Sequence, residues 1–460
     1  MTRLNEPART KLFWLPIYKV VLGAIKDVIV NLWESCVDFV SIRNKALWIV
    51  VFPFLIVVYP LLVVTCVLIF IGSSLVTIGN YIVGGVVYAI DTIYLRLKSV
   101  SVICPQCQNK YVVPTFICPT CGAEHRSLRP GRYGIFHRIC SCGAKIPSTC
   151  LTGRHKLSSK CPHCGKMYSG SSFTHDISIP VIGGVNAGKT CYIHMAIQQL
   201  ENVASSYGLD FKSDLCNDED YAFDADRMSK GYAPLITCDL RLRYYQFCLT
   251  EQGAKVQNLV SLGDVAGRVF TGTKNLSDQI GFKNAKQILF VLDPLAISDF
   301  VEEIAAERNM PETISTTQDI GDILNSLIVI LEAYANKRSN QMLNYDVAVV
   351  ISKCDIPEVQ REVGSQAVSD AMNDESLGLK TELDALNYVC EQFLKKYNES
   401  NFLQHLKSKF ATVQFFVCSA LGHEANNTKF TPTKVEDPIL WLVDRESAKI
   451  DLKEKWHKSV

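Results

Sequence analysis

The stretch VIGGVNAGKT, residues 181–190, holds the residue types and spacing that handle phosphate. Gly183, Gly188, Lys189 and Thr190 fit the pattern G-x-x-x-x-G-K-[ST]. Backbone N–H groups along Gly183, Gly184, Val185, Asn186, Ala187, Gly188, Lys189, Thr190 and Cys191 would wrap the phosphates of a nucleotide. The Lys189 ammonium would neutralise the outer phosphates, and the Thr190 hydroxyl would take one Mg²⁺ position. Further along, NLVSLGDVAG ends an apolar run in Asp264-Val265-Ala266-Gly267, a D-x-x-G. There Asp264 would hold the Mg²⁺ through water and the Gly267 N–H would sense a γ-phosphate. YDVAVVISKCD ends in Ser352-Lys353-Cys354-Asp355, which matches [NT]-K-x-D except at its first residue. The Asp355 carboxylate accepts two N–H donors, a pair that guanine offers and adenine does not, and the Lys353 stem would stack over the ring. VQFFVCSALG ends in Ser419-Ala420-Leu421, a loop suited to the guanine carbonyl.

A second chemistry lies upstream. CPQC (Cys104, Cys107) and CPTC (Cys118, Cys121) are followed by CSC (Cys140, Cys142) and CPHC (Cys161, Cys164). Taken in sequence order, the pairs predict two closed Cys₄ zinc sites, which are structural because no ligand position is left open. Cys150, His155 and His163 are possible substitutes in the second set. A nucleotide-binding chain works in the cytosol, where thiols stay reduced, so the 18 cysteines are not read as disulfides.

These residues need elements to position them. ISIPVI before the glycine-rich stretch is an apolar strand, and CYIHMAIQQLENVASSYG after it has helical periodicity ending at Gly208. The motifs at Asp264, Asp355 and Ser419 likewise end apolar strands. The expected fold is an α/β domain over 175–425 with a mostly parallel sheet and helical insertions at 297–340 and 365–408. DPILWLVD should form the last helix, in a C-terminal region of 426–460.

Residues 46–90 contain no charged side chain. That length suits a transmembrane hairpin over 46–95, two spans of about 20 residues each turning at Gly72-Ser73-Ser74, with an intramembrane hairpin that does not fully cross as the alternative. Arg43 and Lys45 before the run and Arg96 and Lys98 after it place both flanks in the cytoplasm. Residues 1–45 read as an interfacial amphipathic helix, with a helix packed on the protein as the alternative. The zinc ribbons span 100–168, where ten Lys and Arg stand against Glu124 alone. That charge suits anionic lipid or a protein partner first and nucleic acid second.

The order of the four nucleotide motifs resembles the TRAFAC clade of GTPases. With the hairpin, two zinc ribbons, DVAG, SKCD and the closing VEDPILWLVD, the layout is similar to the bacterial double-GTPase family. The resemblance implies a slow GTPase that binds GTP and GDP with Mg²⁺ at an inner membrane. It also implies a partner GTPase or a self-dimer, and a role in multi-gene systems acting against phage. A non-hydrolysing nucleotide-binding scaffold is the alternative. Two residues depart from the pattern: Ser352 replaces Asn or Thr, and Arg268 follows Gly267 where Ras-like enzymes place Gln. Thr237 is the choice for the switch threonine and a Mg²⁺ ligand, with Ser229 as the nearest alternative. Asn186 resembles the Asn of P-N-A-G-K-S loops that use a potassium ion, with Val185 in place of Pro, which implies K⁺-dependent hydrolysis. The open alternative is that Asn186 serves the loop's backbone angles.

Overall fold

The computed structural model describes the chain apart from residues 1–14, 41–44, 98–99, 105–106, 108, 132, 169–173, 214, 216–217, 235–242, 255–256, 268–281, 283–284, 309–318, 336–337, 339–340, 424–427, 448–449, 451, 453–455 and 457–460. Two compact units emerge: residues 1–100 with 112–173, and residues 101–111 with 174–460. The expected ribbon region of 100–168 is therefore divided, because the hairpin of Val102–Ile103 and Lys110–Tyr111 groups with the second unit.

In the first unit, α1 (Leu15–Val40) precedes α2 (Lys45–Leu97). The hairpin turn expected at Gly72-Ser73-Ser74 is absent, and α2 runs unbroken for 53 residues. Ser73 Oγ donates to Phe70 O at 2.9 Å and Thr77 Oγ1 to Ser73 O at 2.8 Å. These hydroxyls fold back onto the preceding turn instead of ending the helix. One helical glycine costs only about 1 kcal/mol relative to alanine, too little to break a run this apolar. A continuous helix crosses a bilayer once, which would put Lys45 and Leu97 on opposite sides rather than both in the cytoplasm. Among the described residues, Ile56–Leu97 is the one stretch long and apolar enough to cross a membrane. Leu22, Ile25 and Ile29 of α1 face Leu62, Cys66 and Phe70 of α2 across an apolar cleft of about 260 Å³. So α1 packs on α2, while Val20, Trp33 and Val37 stay exposed.

The rest of this unit is short antiparallel ladders. Thr115–Ile117 pairs with Glu124–His125 and with Ser159–Lys160, which pairs with Met167–Tyr168. His137–Ile139 pairs with Lys145–Pro147. The apolar core beneath them is little more than Phe116, Leu128 and Ile146 with two cysteines. A core that small needs a metal to fold.

The second unit is built on seven strands: β1 (Thr174–Gly183), β2 (Leu209–Ser213), β3 (Arg243–Glu251), β4 (Gln257–Asp264), β5 (Gln287–Leu292), β6 (Leu343–Ile351) and β7 (Phe410–Val417). Their order is β2-β3-β4-β1-β5-β6-β7. The run β4-β1-β5-β6-β7 is parallel, and β2 and β3 are antiparallel additions at one edge. The parallel strands read as continuous apolar runs because both faces are covered. Ile288, Phe290, Val347, Val349 and Phe415 enter one core. Their neighbours Leu289, Val291, Ala348, Val350 and Phe416 enter the other. The first core is closed by α5 (Ser298–Arg308), α6 (Ile320–Ala335), α9 (Glu382–Lys396) and α10 (Ser400–Lys409). The second is closed by α3 (Lys189–Val203) and α11 (Asp437–Glu446). Three shorter helices are also present among the described residues: α4 (Glu219–Ser229), α7 (Pro357–Val363) and α8 (Ser365–Asn373).

Candidate functional site

The C-terminal ends of β1, β4, β5, β6 and β7 bring the sequence motifs to one edge of the sheet, where open α/β folds bind ligands. β1 and α3 flank the loop Gly183–Gly188. Gly183 has φ +159°, and a Cβ there would lie 2.4 Å from Val291 O on β5. Asn186 at φ +62° and Gly188 at φ +84° are left-handed. Asn adopts that conformation readily, so the backbone alone accounts for an Asn at 186. Lys189 Nζ donates to Gly183 O at 3.0 Å and Gly184 O at 2.6 Å. Burial pushes this ammonium down to about 8, with Asp264 opposing the shift.

Thr190 Oγ1 donates to Asp264 Oδ2 at 2.8 Å. Burial raises the Asp264 carboxyl, so a cation beside it would offset a real cost. The hydroxyl and carboxylate together form a hard-oxygen pair of the kind Mg²⁺ takes. Gly267 sits against the loop: a Cβ on it would fall 2.6 Å from Val185 N and 2.8 Å from Gly184 C. Only glycine fits where the D-x-x-G segment meets the Gly183–Gly188 loop.

The ends of β6 and β7 are wired separately. Ser352 Oγ donates toward Leu292 O at 3.1 Å and Ala187 O at 3.4 Å, tying β6 to the Gly183–Gly188 loop. Lys353, at φ +58°, points its ammonium to Asp293 Oδ2 at 2.6 Å. Ser419 Oγ donates to Asp355 Oδ1 at 2.5 Å and accepts from Gly422 N at 2.8 Å. Ala420 and Leu421, with Cys191, pack against Met195, Met228 and Phe430. Burial pushes the Cys191 thiol up to about 11, so it is an inert packing group. A cavity of about 950 Å³ opens beside Asp355, Cys418 and Ser419, with Glu382 and Trp456 on its wall.

Ser229, the alternative to Thr237, ends α4 with its hydroxyl donating to Asp226 O at 2.7 Å. Thr237 and Arg268 lie outside the described residues.

Two features escape sequence reading. Asp293 clamps Lys353 and caps Leu295 N at 3.0 Å. Its signal is the same as that of Asp264: an apolar run, QILFVL, ending in Asp. On α3, His194 stacks on Tyr221 at 4.6 Å and lies 3.9 Å from Asp224. Burial pushes this imidazole down to about 4, with Arg243 adding to the effect.

The cysteines form two groups, but not in sequence order. Cys118, Cys121, Cys140 and Cys142 make one, and Cys104, Cys107, Cys161 and Cys164 the other. The pairing is nested, correcting the sequential assignment. Thr115–Ile117 runs antiparallel to Ser159–Lys160, which keeps the Cys118 and Cys161 knuckles apart, and the second knuckle meets the third, which leaves the first with the fourth. Within each group the sulfurs lie within 4.8 Å of one another. Cys118 and Cys142 are 3.8 Å apart, and Cys121 and Cys140 are 3.6 Å. Four sulfurs about 2.3 Å from a tetrahedral zinc would be about 3.8 Å apart, so these thiolates fit the ion. Cys150 is no ligand: its sulfur accepts from Arg154 Nη2 at 3.1 Å.

Residues 177–389 match the model of a family described as Double-GTPase 2. No curated protein matches the chain.

Proposed function

We propose, from the premise that residues 177–389 form a double-GTPase-family domain, that this protein binds GTP with Mg²⁺, hydrolyses it slowly and acts as a membrane-tethered switch. The observation that carries the reading is the Thr190–Asp264 contact at 2.8 Å, with Lys189 and Gly267 closing on the same loop. Bound Mg²⁺ would supply positive charge against the β- and γ-phosphates. The loop amides would cradle the phosphates, Lys189 would add its ammonium, and Asp355, held by Ser419, would select guanine. Because Arg268 replaces the water-orienting Gln, the chain needs help at the transition state. A K⁺ ion held with Asn186, together with a second GTPase domain ordering the Thr237 segment, is the proposed source.

GTP turnover by the full chain, compared with Lys189→Ala, tests the core of this reading. Turnover should fall at least to background in the variant. Nucleotide binding without turnover, in KCl as well as NaCl and at dimerising concentrations, would instead favour the non-hydrolysing scaffold. Equal rates in the two salts would leave Asn186 as a backbone choice. The role against phage in a bacterial multi-component system rests on family resemblance alone. Phage plating on cells with and without Lys189→Ala checks it.

A further inference from the structure

Residues 84–95 of α2 dock onto the rest of the first unit. Gly84, Tyr88, Asp91 and Leu95 recur every three or four residues and share one helix face. A Cβ on Gly84 would lie 3.8 Å from Ile135 Cγ1. Tyr88 OH accepts from Arg129 Nη1 at 2.9 Å. Asp91 pairs with Arg154 at 3.0 Å, both almost fully buried, and accepts from Cys150 N at 3.0 Å. Arg154 also donates to Leu128 O and Ser148 O. An ion pair this buried and this fully bonded fixes the ladders against the helix.

The other faces of the same stretch remain apolar and open. Ile82, Val83, Val86, Ile90 and Ile93 are exposed right up to the docking stripe. Beside Ile135 stands Phe136, 51% exposed. Its carbonyl accepts from Ser148 N at 2.8 Å and from Thr152 Oγ1 at 3.2 Å, which brings in Leu151, 71% exposed. Two large exposed apolar residues, Phe136 and Leu151, are therefore held near one another at one tip of the ladders. That tip is fixed beside a lipid-length helix, in a region rich in Lys and Arg.

We infer that Phe136 and Leu151 form a lipid-interface anchor, seated at the boundary of headgroups and acyl chains of an anionic bilayer beside α2. The inference rests on the proposed membrane tether. The bilayer is the occupant because the open apolar surface of α2 continues to the residues that hold the tip. The basic excess of residues 99–168 matches anionic headgroups.

The test uses the full chain in nanodiscs of phosphatidylcholine and phosphatidylglycerol. The photo-crosslinker p-benzoylphenylalanine replaces Phe136 or Leu151, one at a time. Leu68, exposed in the middle of α2, reports the tether, and Phe223, exposed in the second unit, is the control. Lipid adducts at 136 and 151 several-fold above those at 223, with adducts at 68, are the expected result. Adducts at 68 with none at 136 and 151 overturn the anchor and leave the tether standing. Adducts at 136 and 151 to protein only would show that a protein covers the tip and would also overturn the anchor. No adduct at 68 removes tether and anchor together. Both tip residues are exposed, so neither replacement disturbs the core, and zinc content checks each variant.

Discussion

At the residue scale, base selection and acid sensitivity are separable. Asp355 accepts from Ser419 and is left with the oxygen capacity that two guanine N–H groups need. Asp355→Asn reverses the hydrogen-bond direction. GTP should then bind more weakly and xanthosine triphosphate more tightly, read by competition binding. Wild type that binds ATP and GTP equally would sink the assignment. His194 makes a different prediction. Its folded value, about 4, lies below the ordinary 6.5. Between these values the unfolded chain binds a proton that the native chain does not, so stability falls as pH falls from 6.5 toward 4. The loss is about 3 kcal/mol across that window. His194→Phe keeps the stack on Tyr221 and should flatten the melting temperature over the same window. An unchanged acid slope would assign the loss to other groups.

At the element scale, the cysteine knuckles depend on turns as much as on ligands. Cys121, Cys142 and Cys164 are each followed by a glycine in the left-handed region, at φ +70°, +91° and +79°. These glycines let the chain fold back so that the amide groups can face the sulfurs. The nested grouping gives a discriminating experiment. Cys142→Ser should lower bound zinc from two ions to one. A thiol reagent should then reach Cys118 and Cys121, while Cys161 and Cys164 stay protected. Exposure of Cys161 and Cys164 instead would restore the sequential assignment. The loss of the expected turn in α2 belongs to the same scale. Gly72-Ser73-Ser74 reads as punctuation, yet helical hydroxyls satisfied by the preceding turn carry no instruction to stop.

At the scale of the whole molecule, every residue assigned to nucleotide lies in the unit of residues 101–111 and 174–460. GTP with Mg²⁺ should therefore slow amide exchange in the loop 183–190 and at the ends of β4, β6 and β7. Residues 115–160 should be unaffected. Full-chain hydrogen exchange with mass spectrometry reads both regions together. Protection extending into 115–160 would mean that nucleotide binding is coupled to the zinc-binding fold. At a GTP concentration about 100 times the dissociation constant, the nucleotide-binding unit should gain about 2.7 kcal/mol.

That the G-x-x-x-x-G-K-T, D-x-x-G, S-K-x-D and S-A-L segments each end a strand was legible in the sequence, because each follows a short apolar run. Such local signals specify a strand and a turn without reference to distant residues. The alternation of Ile288 and Leu289 into opposite cores follows from the same period-two pattern. Three things were decided only in three dimensions. Asp293 is a clamp only because β5 lies beside β6, which brings Lys353 to it. His194 loses its usual titration only because Tyr221 and Tyr245 close over it from α4 and β3. The cysteines group as they do because the fold brings Cys118 and Cys121 against Cys142 and Cys140, at 3.8 and 3.6 Å. Spacing along a chain specifies which atoms can bind an ion, but the packing of the ladders decides which of them meet.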